Sequence, residues 1–305
     1  MSVEIRDRRF AEVVGPEVVY ESLADGFLFT EGPAWDARNR RLLFSDIPGN
    51  LIAQWSQAGG ASVFRSPSNM SNGLAWDREG RLLCCEHATS RLTRTEADGK
   101  VTVLASTYEG KELNSPNDVV VKSDGGIYFT DPSYGRMEYY GVSRTPHLGF
   151  RGVYRVEPDG RRLGLLADDF GQPNGLCFSA DERRLFVNDT ERGHIRVFDV
   201  LDDGTLGRGG IWATLSGAGP GAPDGMKIDS EENLYCCGPG GIHVFDRAAG
   251  CLGVVKVPSG AANFTWGEDD LKSLFITASA TLYRIRVRVP GRRTQTAAGE
   301  PARSA

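Results

Sequence analysis

The chain has 305 residues, a net charge of −5, 40% hydrophobic residues and 38 glycines. That balance suits a turn-rich all-β globule and excludes a disordered or fibrous chain, while a slight acidic excess offers nucleic acid no basic stripe. Met1 to Phe10 is charged and lacks the apolar run of a secretory signal, and no stretch reaches transmembrane length, so a soluble cytoplasmic protein with neither membrane nor nucleic acid as partner is expected.

In chain order, residues 1–16 read as a surface lead-in with little pattern, and Glu17–Leu23 as a strand. A single sentence of sequence then recurs six times. Glu31-Gly32-Pro33 leads to Leu42-Leu43-Phe44-Ser45-Asp46, and Asn72-Gly73-Leu74 to Leu82-Leu83-Cys84-Cys85-Glu86. Asn117-Asp118-Val119 leads to Ile127-Tyr128-Phe129-Thr130-Asp131, and Asn174-Gly175-Leu176 to Leu185-Phe186-Val187-Asn188-Asp189. Asp224-Gly225-Met226 leads to Leu234-Tyr235-Cys236-Cys237-Gly238, and Asn263-Phe264-Thr265 to Leu274-Phe275-Ile276-Thr277-Ala278. Each copy is a polar residue, a short strand, a polar turn and a second strand, that is, a β-hairpin followed by further strand-like runs. The copies start 39–57 residues apart, the period of four-stranded propeller blades, so the expected fold is an all-β, six-bladed β-propeller in one domain over 17–290. The last unit runs out of pattern after Thr281–Val287, so Glu17–Leu23 is expected to supply its missing outer strand and close the ring.

Between Asp131 and the strand Gly152–Val156, an aromatic-rich insertion over 132–151 suggests a lid over one mouth of the ring. Residues 291–305 read as a disordered tail. The six cysteines read as buried reduced thiols, since Cys84-Cys85 and Cys236-Cys237 are strand neighbours facing opposite sides and none has zinc-ligand spacing.

Rotation about a propeller axis brings Glu31, Asn72, Asn117, Asn174, Asp224 and Asn263 to one end of the channel. Asn-Gly is also a common turn former, which would account for Asn72 and Asn263, but Glu31 has no such explanation. A second ring, Asp46, Glu86, Asp131 and Asp189 with His87 beside Glu86, carries acids that facing inward would call for a counter-charge such as a bound cation. Glu31 and Asp224 with the amide oxygens of Asn117 and Asn174 match one divalent ion; all-oxygen donors favour Ca²⁺, admit Mg²⁺ and Mn²⁺, and accommodate Zn²⁺ without a His or Cys to select it.

The stretches Glu31-Gly32-Pro33, Asn69 through Asn72-Gly73-Leu74, Cys85-Glu86-His87, Leu113-Asn114-Ser115-Pro116-Asn117-Asp118, Tyr128-Phe129-Thr130-Asp131-Pro132, Pro173-Asn174-Gly175 and Pro223-Asp224-Gly225 together resemble the gluconolactonase/regucalcin family, and its bacterial gluconolactonases most. The resemblance implies a six-bladed propeller holding a divalent metal and hydrolysing lactones, so that the partner is a small-molecule lactone. By position it implies metal ligands at Glu31, Asn174 and Asp224, a further residue at the metal or its water at Asn117, and a catalytic acid at Asp131. On this basis Asp131 is expected as general base with Asp224 second, and Glu86, His87, Asp189 and Asn117 as substrate-binding residues. Two other functions stay open: hydrolysis of another lactone, ester or phosphotriester, and a non-catalytic metal-stabilised scaffold. The oligomeric state is undetermined.

Overall fold

Alternation of apolar residues along each strand decides where the core lies. Leu82 and Cys84 pack between the first two blades, whereas their neighbours Leu83 and Cys85 pack between the second and third. Cys236 and Cys237 are divided in the same way between the two sides of the fifth blade. The apolar core is therefore six wedges, one between each pair of neighbouring blades, rather than a single central cluster.

The computed structural model of the chain describes residues 2–292. Six sheets, each an antiparallel meander, form the ring, and the first strand of each packs against the first strand of the next all the way round. These inner strands are Thr30–Asp36, Ser71–Trp76, Val119–Val121, Pro173–Phe178, Met226–Ile228 and Ala261–Gly267. The fold is a six-bladed β-propeller. All six cysteines are free, and among the described residues no helix is long and apolar enough to cross a membrane.

Closure runs as expected, with one shift. The outer strand of the last blade is Glu21–Ala24, paired antiparallel to Thr281–Arg286 through Glu21↔Arg284 and Ser22↔Tyr283. Residues 17–20 lie outside it because their partners are elsewhere: Val18 N–H donates to Ser2 Oγ (3.1 Å) and the Tyr20 hydroxyl to Lys256 O (2.8 Å). Residues before 17 are likewise built into the ring. Val3–Ile5 adds a fifth strand to the fifth blade, pairing Val3↔Val255, and the fully buried Phe10 fills the wedge between blades five and six. The tail expected over 291–305 lies outside the described residues from 293 onward; Gly291 itself bridges to Asp229.

The insertion after Asp131 crosses the mouth. A short 3₁₀ turn, Tyr134–Arg136, begins it, and the Arg136 guanidinium donates to Asn114 O (2.6 Å), to Leu113 O and to Glu112 (3.0 Å). Arg144 donates to Ser90 Oγ (2.6 Å), the Tyr139 hydroxyl to Leu28 O (3.2 Å), and the Tyr140 ring meets Phe29 edge-on at 5.1 Å. The segment thus leaves blade three and is fastened to blades one and two.

Candidate functional site at the mouth of the channel

The recurring polar–glycine dipeptides are not turns. Asn72-Gly73, Asn174-Gly175 and Asn263 lie inside the inner strands, and strand pairing skips a step at Glu31/Ala34, Ser71/Leu74, Pro173/Leu176 and Ala261/Asn263. A bulge releases those residues from their own sheet and re-aims their side chains. The released backbone bonds to the next blade instead: Gly73 N–H donates to Asn117 O and Gly225 N–H to Ala262 O, both at 2.8 Å. Only glycine allows that approach. A Cβ on Gly32 would stand 2.0 Å from Asn72 O, on Gly73 2.4 Å from Asn117 O, and on Gly175 2.2 Å from Asp224 O. Second-strand side chains complete the hoop, as Ser45 Oγ donates to Asn72 O (2.7 Å), Thr130 Oγ1 to Asn174 O (2.8 Å) and Asn188 Nδ2 to Asp224 O (2.5 Å).

Glu31 is 3% exposed; its Oε2 accepts Gly32 N–H (2.6 Å) and Asn263 Nδ2 (3.0 Å). Burial pushes its carboxyl up to about 7, with the charge of Asp118 adding, against the pull of those donors and of Lys227. Asp224, half-buried, is raised well above the usual carboxylate range by desolvation first and then by the charges of Glu31 and Asp118. The Asn174 amide beside Asp224 opposes that rise; its Nδ2 also donates to Thr190 Oγ1 (3.2 Å), which in turn donates to Pro223 O (2.6 Å). Glu31, Asn174 and Asp224 are thus brought together. Asn117 holds the equivalent ring place on blade three, 4% exposed, its backbone N–H donating to Thr130 O at 2.8 Å. Two carboxylates this close, in low dielectric, require a shared proton or a cation between them. The donor set is all oxygen and suits a hard cation such as Ca²⁺, with Asn amide oxygens needed in it, since among the described residues no group of three His, Cys, Asp or Glu side chains is arranged to hold a metal ion by itself.

The second ring has a different task from the one its sequence suggests. Asp46 accepts the N–H groups of Leu28 (3.1 Å) and Phe29 (3.0 Å), and Asp189 those of Gly171 (2.7 Å) and Gln172 (3.0 Å). Asp131 accepts Asn114 N–H (2.8 Å) and Ser115 N–H (2.7 Å). In each case the donors are the third and second residues before a ring residue. These acids therefore lock the loops that present Glu31, Asn174 and Asn117, and backbone N–H groups supply the compensation first assigned to a cation. Asp131, fully buried with both oxygens engaged and pushed up to about 7 by desolvation, is not held facing the channel as a free base. Glu86 is saturated by Asn69 (3.1 Å), Thr89 (2.5 Å), Arg91 (2.8 Å) and Thr93 (3.0 Å), which leaves it little capacity for a sugar hydroxyl. His87, 1% exposed, donates through Nδ1 to Tyr140 O (2.8 Å) while Nε2 accepts from Asn72 Nδ2 (3.3 Å), so it latches the crossing segment rather than meeting a substrate. The crossing segment does bring two phenols toward the acids: Tyr134, beside Thr190, and Tyr140 both feel the charge of Asp224. The sequence does not single these two out as site residues, since the crossing segment has no counterpart in the other repeats; Asp118 and Lys227 do lie within the repeat, at positions where most other copies carry glycine and an apolar residue respectively. A depression of 380 Å³ at the opposite end, lined by Ala180, Ser230, Leu271 and Arg292, contains none of the ring residues.

Residues 29–280 match the SMP-30/Gluconolactonase/LRE-like region. A gluconolactonase of Zymomonas mobilis is 33% identical over 294 residues, covering 89% of this chain and 82% of its own. A gluconolactonase structure from Xanthomonas campestris superposes with a TM-score of 0.87 at 35% identity, over 94% of this chain and 95% of that one. Regucalcin of Agrobacterium tumefaciens, described as a calcium-binding protein, shares the fold at 19% identity with a TM-score of 0.75, over 90% and 96% of the two chains.

Proposed function

Because the chain belongs to the SMP-30/gluconolactonase/LRE-like family, we propose that it is a metal-dependent lactonase that opens a sugar lactone, D-glucono-lactone and water giving D-gluconate. The observation that carries this is the pairing of Glu31 and Asp224 beside Asn174, with the phenols of Tyr134 and Tyr140 near enough to feel the charge of Asp224. Glu31, Asn174 and Asp224 would hold the cation, with Asn117 beside it. When bound, such an ion supplies Lewis-acid polarisation of the lactone carbonyl and acidifies water.

The chain's own residues supply the rest. Asp224, half-buried where Glu31 and Asp131 are buried, is the assigned proton acceptor for the attacking water. Water adds to the carbonyl carbon, the ring C–O bond breaks, and the departing alkoxide takes up the proton that Asp224 removed. Asn117 would orient the lactone carbonyl, while Tyr134 and Tyr140 would limit water access and offer hydroxyls to a polyhydroxylated ring.

The test is proton release from D-glucono-δ-lactone, corrected for spontaneous opening, after chelation and with Ca²⁺, Mg²⁺, Mn²⁺ and Zn²⁺ returned singly. Activity lost on chelation, restored by one ion, and lowered about 10²–10⁴-fold in Asp224→Ala is expected. A folded protein that binds the ion yet opens neither this lactone nor other lactones and esters would overturn the enzymatic assignment in favour of a scaffold.

A further inference from the structure

Two further charged side chains, Asp118 and Lys227, act on the acids of this site. Blade three carries Asp118 where four other blades carry the ring glycine, and its carboxylate lies against Gly73 of blade two, where an added Cβ would stand 3.0 Å from Oδ1. Asp118 is 5% exposed; Oδ1 accepts Val119 N–H (2.9 Å), and Oδ2 has no hydrogen-bond partner. A buried, unpartnered carboxylate oxygen is costly unless a positive charge faces it. The side chain of Lys227, on the inner strand of blade five, supplies that charge and draws down the carboxyl pKa of both Asp118 and Glu31. Its Nζ donates to Asn263 Oδ1 (3.2 Å) and stands 5.8 Å from the Phe264 ring. Asn263 in turn donates Nδ2 to Glu31 (3.0 Å), so Lys227 is joined to Glu31 through one amide held in a fixed orientation.

We propose that Lys227 and Asp118 set the charge this centre accepts, making a divalent cation, and not a trivalent one, the ion that brings it to neutrality. The proposal rests on the assignment of a cation to Glu31, Asn174 and Asp224. Three carboxylates (Glu31, Asp118, Asp224) and one ammonium leave two negative charges, which one divalent ion balances. Removing the lysine leaves three, which suits a trivalent ion; removing the Asp118 charge leaves one. Because the interaction scales with ionic charge, each change moves trivalent affinity more than divalent affinity.

The experiment is calorimetric titration of the full chain with Ca²⁺ and, separately, Tb³⁺. In Lys227→Met the Tb³⁺-to-Ca²⁺ affinity ratio is expected to rise about tenfold or more over wild type, and in Asp118→Asn to fall by a similar factor. Lys227→Arg keeps the charge and the wild-type ratio. The double variant returns the ratio to within about threefold of wild type, which a merely damaged site would not do. Should Lys227→Met fail to fold, Asp118→Asn decides alone. A ratio within about threefold of wild type in the single variants, with folding intact, overturns the proposal while leaving the cation site standing. A wild-type protein that binds neither ion overturns the cation site, and this proposal with it.

Discussion

Asp131 and Asp224 are both acids at the ends of short strands, yet they stand in opposite situations. Asp131 spends both oxygens on the N–H groups of Asn114 and Ser115, whereas Asp224 is half-buried beside the side chains of Glu31 and Asn174. Asp131→Asn is therefore expected to retain the rate per folded molecule within a few-fold and to lose about 1–3 kcal/mol of stability, since an amide NH₂ would oppose one backbone donor. Denaturant titration beside lactone assays checks both halves. Gly175→Ala places a methyl 2.2 Å from Asp224 O, and the same titration should report a loss of about 1–3 kcal/mol together with weaker cation binding. At this scale the sequence was readable in part. A polar residue repeated six times drew attention to Glu31, Asn174 and Asp224, which are neighbours in the ring. Partners of the second ring were hidden, because their donors are backbone N–H groups of the preceding loop, which no side-chain pattern records.

At the scale of elements, the segment 132–151 depends on His87. Burial holds its imidazole down to about 4, against an ordinary value near 6.5 in the unfolded chain. At this site the folded protein resists protonation that the unfolded chain accepts, so the contribution of His87 to stability is intact above about pH 6.5 and is lost as pH falls toward 4. One proton corresponds to about 1.4 kcal/mol per pH unit over that window. Thermal unfolding from pH 7.5 to 4.5 should show wild type losing stability relative to His87→Gln by this slope, because the raised carboxyls of Glu31 and Asp131, which gain stability as pH falls, are common to both proteins and cancel in the difference. Amide exchange should show 134–142 opening first as His87 becomes charged, because a second ring proton abolishes acceptance from Asn72. The insertion's length and aromatic content were legible from sequence. What fastens it was not, since Arg136 and Arg144 bind carbonyls and acids of blade two and its following loop, which only the folded ring brings near.

For the whole molecule, the six blades and their closure follow from the repeat, whereas the contribution of residues 2–16 does not. Val3–Ile5 and Phe10 occur once, so periodicity could not find them, and their burial depends on blade five being present. Deleting residues 2–9 should leave a closed ring that unfolds at lower denaturant. Deleting 2–24 removes the partner of Thr281–Arg286 and should give an aggregating chain with no cooperative transition, as read by size-exclusion chromatography and denaturation.

Pairing Glu21–Ala24 with Thr281–Arg286 also imposes a schedule on a ribosome. Roughly 257 residues separate Ala24 from Thr281, so at about 5–20 residues per second the first strand waits some 13–50 s for its partner to be made. A strand that must wait is safest when it is short and polar. Four residues long, with Glu21 and Ser22 exposed even in the finished ring, this one presents little for a neighbouring nascent chain to seize.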